Sequence, residues 1–177
     1  MSETLTYFAY GSNMSSKRLQ ARVPSARVIG TATLTGHRLA FHKFSHVDLS
    51  AKCDACESAD DTDRVIGVLY HLPRAEKPTL DKVEGLGIGY DEKQVRVHGS
   101  DGHVDAFMYA ATRIDDAVKP FHWYKQHVIH GARENRLPDA YLAFIDSFES
   151  IDDPDNERHE RELNIYGSTR MTKPARR

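Results

Sequence analysis

Thr4-Leu5-Thr6-Tyr7-Phe8-Ala9-Tyr10 runs directly into Gly11-Ser12-Asn13. The first seven residues are aromatic, β-branched or small, and the following three favour tight turns, so the stretch reads as a buried strand that ends in a sharp bend. Ser15 or Ser16 can cap a short helix reaching Arg22. Ala26 to Leu34 and His37 to His42 read as two strands separated by Thr35-Gly36, the pattern of a hairpin. Arg64 to Leu72 is a further strand stopped by Pro73, and Pro78 to Glu84 has the composition of a short helix closed by Gly85. Tyr90 to His98 and His103 to Thr112 flank the turn Gly99-Ser100-Asp101-Gly102 as a second hairpin.

After Pro120, which suits a first helical turn, the apolar period changes to 3.6. Phe121, Tyr124, Val128, Ile129 and Ala132 can share one helical face. Leu137-Pro138 re-aims the chain, and Tyr141, Leu142, Ile145 and Phe148 mark another amphipathic helix. Strands first and helices later is the order of an α+β domain, a mostly antiparallel sheet or barrel covered by helices, expected over residues 1–150. From Asp152 the composition turns charged, with only Leu163, Ile165 and Tyr166 able to dock. Residues 151–177, ending in the basic Lys173-Pro174-Ala175-Arg176-Arg177, therefore read as a tail.

The chain has 177 residues, 40% hydrophobic and 28% charged, enough for one domain with a real core. A net charge of -2 gives no basic field for a nucleic-acid backbone or an anionic membrane, so neither partner is expected. No apolar run approaches a membrane span, and Met1-Ser2-Glu3-Thr4 lacks the basic and apolar regions of a signal peptide, so a cytoplasmic protein is expected.

Cys53 and Cys56 have C-x-x-C spacing but no second ligand pair, and on a strand their side chains face apart, so they read as inert thiols. His122, His127 and His130 fall in one helix without the i, i+4 spacing that puts two metal ligands on a common face. They read as surface or hydrogen-bonded histidines. No phosphate-binding loop or dinucleotide fingerprint is present, and no metal or organic cofactor is expected.

Four places can carry chemistry. Gly11 lets the backbone of Tyr10-Gly11-Ser12-Asn13 turn and present successive N–H groups to an anion or oxyanion, although a Gly-Ser-Asn turn also serves as a plain helix cap. Glu84 sits at a helix end beside Gly85, Leu86, Gly87, Ile88 and Gly89. The helix dipole and apolar neighbours there would raise its pKa, the requirement for a proton shuttle, and a solvated helix-end glutamate is the plainer alternative. Asp81, nearly a turn back, competes with it. Tyr109 and Tyr124 are each either core aromatics with satisfied hydroxyls or walls of a pocket.

Taken together, Tyr7 to Asn13, Glu84-Gly85 with Gly89-Tyr90, Tyr109, and the run from Tyr124 through Gly131-Ala132-Arg133-Glu134-Asn135-Arg136-Leu137-Pro138 resemble the gamma-glutamylcyclotransferase-like family over roughly residues 5–148. The resemblance implies an α+β fold, a small, mixed, mostly antiparallel β-barrel flanked by helices. It also implies an enzyme of glutathione metabolism that cyclises a γ-glutamyl amide to 5-oxoproline and releases an amine or amino acid. By the same resemblance Tyr10, Gly11, Ser12 and Asn13 bind the glutamyl end, Glu84 is the catalytic acid and base, and Tyr90, Tyr109 and Tyr124 line or steady the pocket. The implied partner is a small-molecule γ-glutamyl substrate, with a homodimer left open. Phe41 to Ala59, containing His42, His46 and both cysteines, lies outside the matched motifs, which leaves the departing group open. A γ-glutamylamine-specific enzyme and a non-catalytic small-molecule binding barrel are the competing readings.

Overall fold

A computed structural model describes residues 3–167. Five strands close into a barrel: β1 (Thr4–Ala9), β5 (Arg64–Pro73), β2 (Arg27–Thr35), β6 (Tyr90–Gly99) and β7 (Gly102–Ala111), in that order around the wall. All neighbours are antiparallel except β1 and β7, which meet in parallel at Tyr7 and Phe107. Closure leaves these strands no open edge. The core is built from apolar side chains with essentially no exposure, among them Phe8, Val65, Tyr70, Leu72, Val97 and Met108.

The remaining strands, β3 (His37–Phe44) and β4 (Ala51–Glu57), form a separate antiparallel pair beside the barrel. The hairpin expected between residues 26 and 42 is therefore not formed. β2 already has β5 on one side and β6 on the other, and β3 finds its partner downstream in β4. Alternation in the sequence marked both strands correctly but carries no information about which strand each one pairs with.

Among the described residues five α-helices flank the sheets: α1 (Ser16–Gln20), α2 (Lys77–Glu84), α3 (His122–Glu134), α4 (Asp139–Ser147) and α5 (Asn156–Leu163). Ser15 caps α1, and Gly85 closes α2 in the left-handed region at φ 69°. Pro120 stands one residue before the N-cap Phe121 of α3 rather than inside its first turn. The expected apolar face of α3 is buried throughout.

The charged stretch after residue 150 does not hang free. Ile151 exchanges backbone hydrogen bonds with Pro120 and His122, and the buried Asp153 accepts from Trp123 Nε1 at 2.7 Å and Arg158 Nε at 2.6 Å. Asp155 caps α5, Glu162 pairs with Arg18 at 2.7 Å, and the Tyr166 hydroxyl reaches Ser15 and His127. A count of apolar residues underestimates this segment because it docks mainly through ion pairs and hydrogen bonds to buried partners. The basic end at 173–177 lies outside the described residues. No described helix is long and apolar enough to cross a membrane.

Candidate active site

The bend after β1 becomes a 3-10 turn, Ser12–Met14, pressed against α3. Gly131 permits that contact: a Cβ there would lie 2.4 Å from both the Met14 carbonyl carbon and the Ser15 nitrogen. The Met14 carbonyl then accepts from Tyr70 at 2.9 Å and Asn135 Nδ2 at 3.0 Å, while Glu134 accepts from Ser16. The turn is thus fixed from the barrel on one side and from α3 on the other. Gly11 is needed for a close approach and not for an unusual φ: a Cβ would stand 2.9 Å from Cys53 Cβ and 3.4 Å from the Tyr124 hydroxyl. Among the described residues the N–H groups of Gly11, Ser12 and Asn13 have no hydrogen-bond acceptor, as expected for the first residues of a helical turn.

These groups open onto a pocket enclosing about 290 Å³ of empty space, part of it open to solvent. Tyr10, Gly11, Ser12, Asn13, Glu84, Tyr90, Tyr109 and Tyr124, the residues that the family resemblance assigns to the site, line it together with Tyr7 and Cys53. Glu84 closes α2 at the pocket wall with its side chain 16% exposed. Its Oε1 accepts from Asn13 Nδ2 at 2.8 Å and meets Arg22 Nη1 at 3.4 Å, and Arg22 Nη1 also donates to Asn13 Oδ1 at 2.7 Å. The apolar surroundings expected for Glu84 are replaced by an amide and a guanidinium. Leu86 and Ile88, the aliphatic residues of the loop after Gly85, are exposed. Among the described residues Oε2 receives no hydrogen bond.

Asp81 does not compete for this position: it is held by Lys77 Nζ at 2.6 Å and accepts from the Tyr109 hydroxyl at 2.6 Å. The tyrosines are pocket walls whose hydroxyls already bond to protein. Tyr10 donates to the Tyr109 carbonyl, Tyr90 donates to the Cys53 carbonyl at 2.7 Å, and Tyr124 accepts from the Cys53 N–H at 3.0 Å. Burial raises the pKa of Tyr7, Tyr10, Tyr90 and Tyr124 well above the ordinary phenol value, so all four remain protonated. Burial likewise raises the Cys53 thiol, which lines the pocket as a thiol and not as a nucleophilic thiolate.

Sequence reasoning missed Arg22, Tyr7 and Lys43. Arg22 is the cation that fixes Asn13 and Glu84, and Tyr7 accepts from Asn13 Nδ2 at 3.1 Å. Lys43 is buried, with Nζ 4.8 Å from the centre of the Tyr90 ring and in the field of Glu84, and burial lowers its pKa. Tyr7 and Arg22 lie six and nine residues from Asn13, but their link to Glu84, like that of Lys43 to Tyr90, is made only by the folded chain and carries no local signal.

Residues 64–145 match the AIG2-like family. The chain is 33% identical over 156 residues to a gamma-glutamylcyclotransferase of Bos taurus, covering 85% of this chain and 81% of that protein. It is 31% identical to the Homo sapiens gamma-glutamylcyclotransferase over the same shares. A solved structure of a gamma-glutamyl cyclotransferase superposes with a TM-score of 0.77 at 29% identity, covering 85% of this chain and 90% of that one. The barrel, the buttressed turn and these likenesses together place the chain in the gamma-glutamylcyclotransferase family.

Proposed function

We propose that this protein is a gamma-glutamylcyclotransferase that converts a γ-glutamyl amide to 5-oxoproline and a free amine or amino acid, with Glu84 as general acid and base. The observation that carries this reading is the Glu84 carboxylate, held by Asn13 and Arg22 in the same pocket as the unpaired N–H groups of Gly11 to Asn13. The reaction needs no outside nucleophile. The α-amine of the substrate attacks its own γ-carbonyl carbon, a new C–N bond closes the five-membered ring, and the scissile C–N bond breaks. Holding amine and carbonyl in register contributes up to roughly 7–11 kcal/mol.

With Oε1 fixed, Oε2 of Glu84 is the atom that takes a proton from the α-ammonium and returns it to the departing nitrogen, while the second proton that the ring nitrogen sheds after attack passes to solvent or to the released amine. A positioned acid and base of this kind is worth about 10²–10⁴ in rate. The N–H groups of the turn grip either the substrate α-carboxylate or the tetrahedral oxyanion, the latter worth about 3–4 kcal/mol per donor. The tyrosine walls exclude water and fix the shape of the pocket, and their hydroxyls steady the surrounding backbone.

Lys43 bears on the departing group. Among the described residues its ammonium forms no hydrogen bond or ion pair, and it rests on the face of Tyr90, which lines the pocket. A cation there favours a γ-glutamyl α-amino acid or peptide, whose departing half carries a carboxylate, over a γ-glutamylamine. Measuring 5-oxoproline release from matched substrates of the two classes tests the reading. Release from the α-amino acid derivative at least tenfold faster supports it. Release from the amine alone sinks the carboxylate argument, and release from neither sinks the enzyme.

A further inference from the structure

One cluster outside the pocket combines three different donor types. His42 Nε2 lies 3.1 Å from Asp54 Oδ2 and 3.2 Å from Cys56 Sγ, and the three ligand atoms are all within 4.8 Å of one another. Asp54 and Cys56 are two apart on β4 and so share a face. His42 arrives from β3 by a particular device. The β3–β4 register steps by one between Phe41 and Lys43, leaving His42 as the extra residue of a bulge, and bulges re-aim side chains. Asp54 is buried, and His42 and Cys56 are half-buried.

The far side of the imidazole is also held. His42 Nδ1 lies 2.9 Å from Asp116 Oδ1, and the loop carrying Asp116 is tied down because the Asp115 N–H donates to the His42 carbonyl at 2.8 Å. A carboxylate behind the non-ligating nitrogen is the arrangement found at metal-ligating histidines, where it orients the ring.

We propose that His42 Nε2, Asp54 Oδ2 and Cys56 Sγ form a binding site for a zinc-class divalent ion, with Asp116 as a positioning residue behind His42. One nitrogen, one oxygen and one sulfur donor suit a borderline ion, and disfavour calcium and magnesium, which take oxygen ligands. Metal–ligand bonds of about 2.0–2.3 Å around a tetrahedral centre put ligand atoms roughly 3.3–3.6 Å apart, so the two edges from His42 need to open slightly and the Asp54–Cys56 edge, within 4.8 Å, has to settle into the same range. Three protein donors leave the fourth position for water or a small ligand. The other oxygen of Asp54 accepts from the Ala111 N–H at 2.9 Å, so the ion would clamp the β3–β4 pair to the end of β7 beside the pocket. Cys53, whose thiol faces the pocket, takes no part.

Calorimetric titration of chelator-treated full-length protein with Zn²⁺ at neutral pH tests the site. One equivalent is expected to bind and to raise the melting temperature. His42→Gln and Cys56→Ser are each expected to weaken binding at least tenfold, and Asp116→Asn about tenfold. Melting curves of the metal-free variants establish that they fold. Titration with Co²⁺ is expected to give a thiolate-to-cobalt charge-transfer band that survives Cys53→Ser and vanishes in Cys56→Ser. Absence of one-equivalent binding, or zinc affinity unchanged in His42→Gln and Cys56→Ser, overturns the proposal, as does a cobalt band that follows Cys53.

Discussion

Replacing Gly131 with alanine drives a methyl group into the backbone of the turn that carries Ser12 and Asn13. The new carbon would lie 2.4 Å from the Met14 carbonyl carbon and the Ser15 nitrogen, and ordinary contact begins near 3.4 Å. Neither obstacle is a side chain that can rotate aside, so the turn has to retreat from α3 by about 1 Å. Overpacking of this kind costs about 1–3 kcal/mol, and weakening the Tyr70 and Asn135 hydrogen bonds to Met14 adds about 1 kcal/mol. The better helix propensity of alanine returns about 1 kcal/mol, leaving a net loss of about 2 kcal/mol. At this chain length that lowers the melting temperature by about 4–8 °C. The larger effect falls on catalysis. A 1 Å displacement of a positioning group costs about 10²-fold, equivalent to about 3 kcal/mol of transition-state stabilisation. Thermal denaturation and 5-oxoproline release at saturating substrate read the two quantities separately. A variant that melts and turns over like the parent would refute the claim that α3 sets the position of the turn.

Two further substitutions test the network around the site. Asn13→Ala removes the hydrogen bond to Glu84 and one partner of Arg22 while leaving the carboxyl in place, so turnover should fall by about 10²-fold, with a stability loss of about 1–3 kcal/mol from the buried partners it leaves unpaired; near-parental turnover would show that Glu84 is positioned without Asn13. His127 is fully buried, and burial pushes its pKa down from 6.5 to about 4. The unfolded chain takes up a proton near pH 6.5 that the folded protein refuses until about pH 4, so stability is lost as pH falls through this window. The limit is about 3 kcal/mol. Its neighbour Glu162, held down to about 2 chiefly by its hydrogen bond to His127, contributes loss only at lower pH. Denaturant unfolding of His127→Gln should therefore give a flatter stability profile between pH 6.5 and 4 than the parent, and equal slopes would show that the imidazole is charged when folded.

Where function lies within one short segment, the sequence was readable. The strand ending at Gly11, the helix closed by Gly85 and the apolar face of α3 each follow from local period and turn chemistry, and the residues singled out from them line one pocket. Pairings between distant segments were not readable. β2 finds its partners in β5 and β6, so the hairpin inferred from adjacency to β3 fails. The surroundings of Glu84 were misjudged because Asn13 and Arg22 are 71 and 62 residues away, and only the closed barrel brings them together. The segment after residue 150 looked free because its docking groups, such as Asp153 and Glu162, are charged and their partners are buried in α3 or set on α1. The resemblance to a family supplied the reaction, which local residue patterns alone left open between a proton shuttle and a solvated glutamate.

The most direct measurement is the turnover of Glu84→Gln alongside calorimetric binding of 5-oxoproline or an unreacted γ-glutamyl substrate. Glutamine keeps the size of the side chain and an oxygen for the Asn13 amide, but it cannot accept and return a proton. Turnover is predicted to fall by about 10²–10⁴ with ligand affinity changed by less than about tenfold. Turnover within tenfold of the parent would contradict the assignment of proton transfer to this carboxyl.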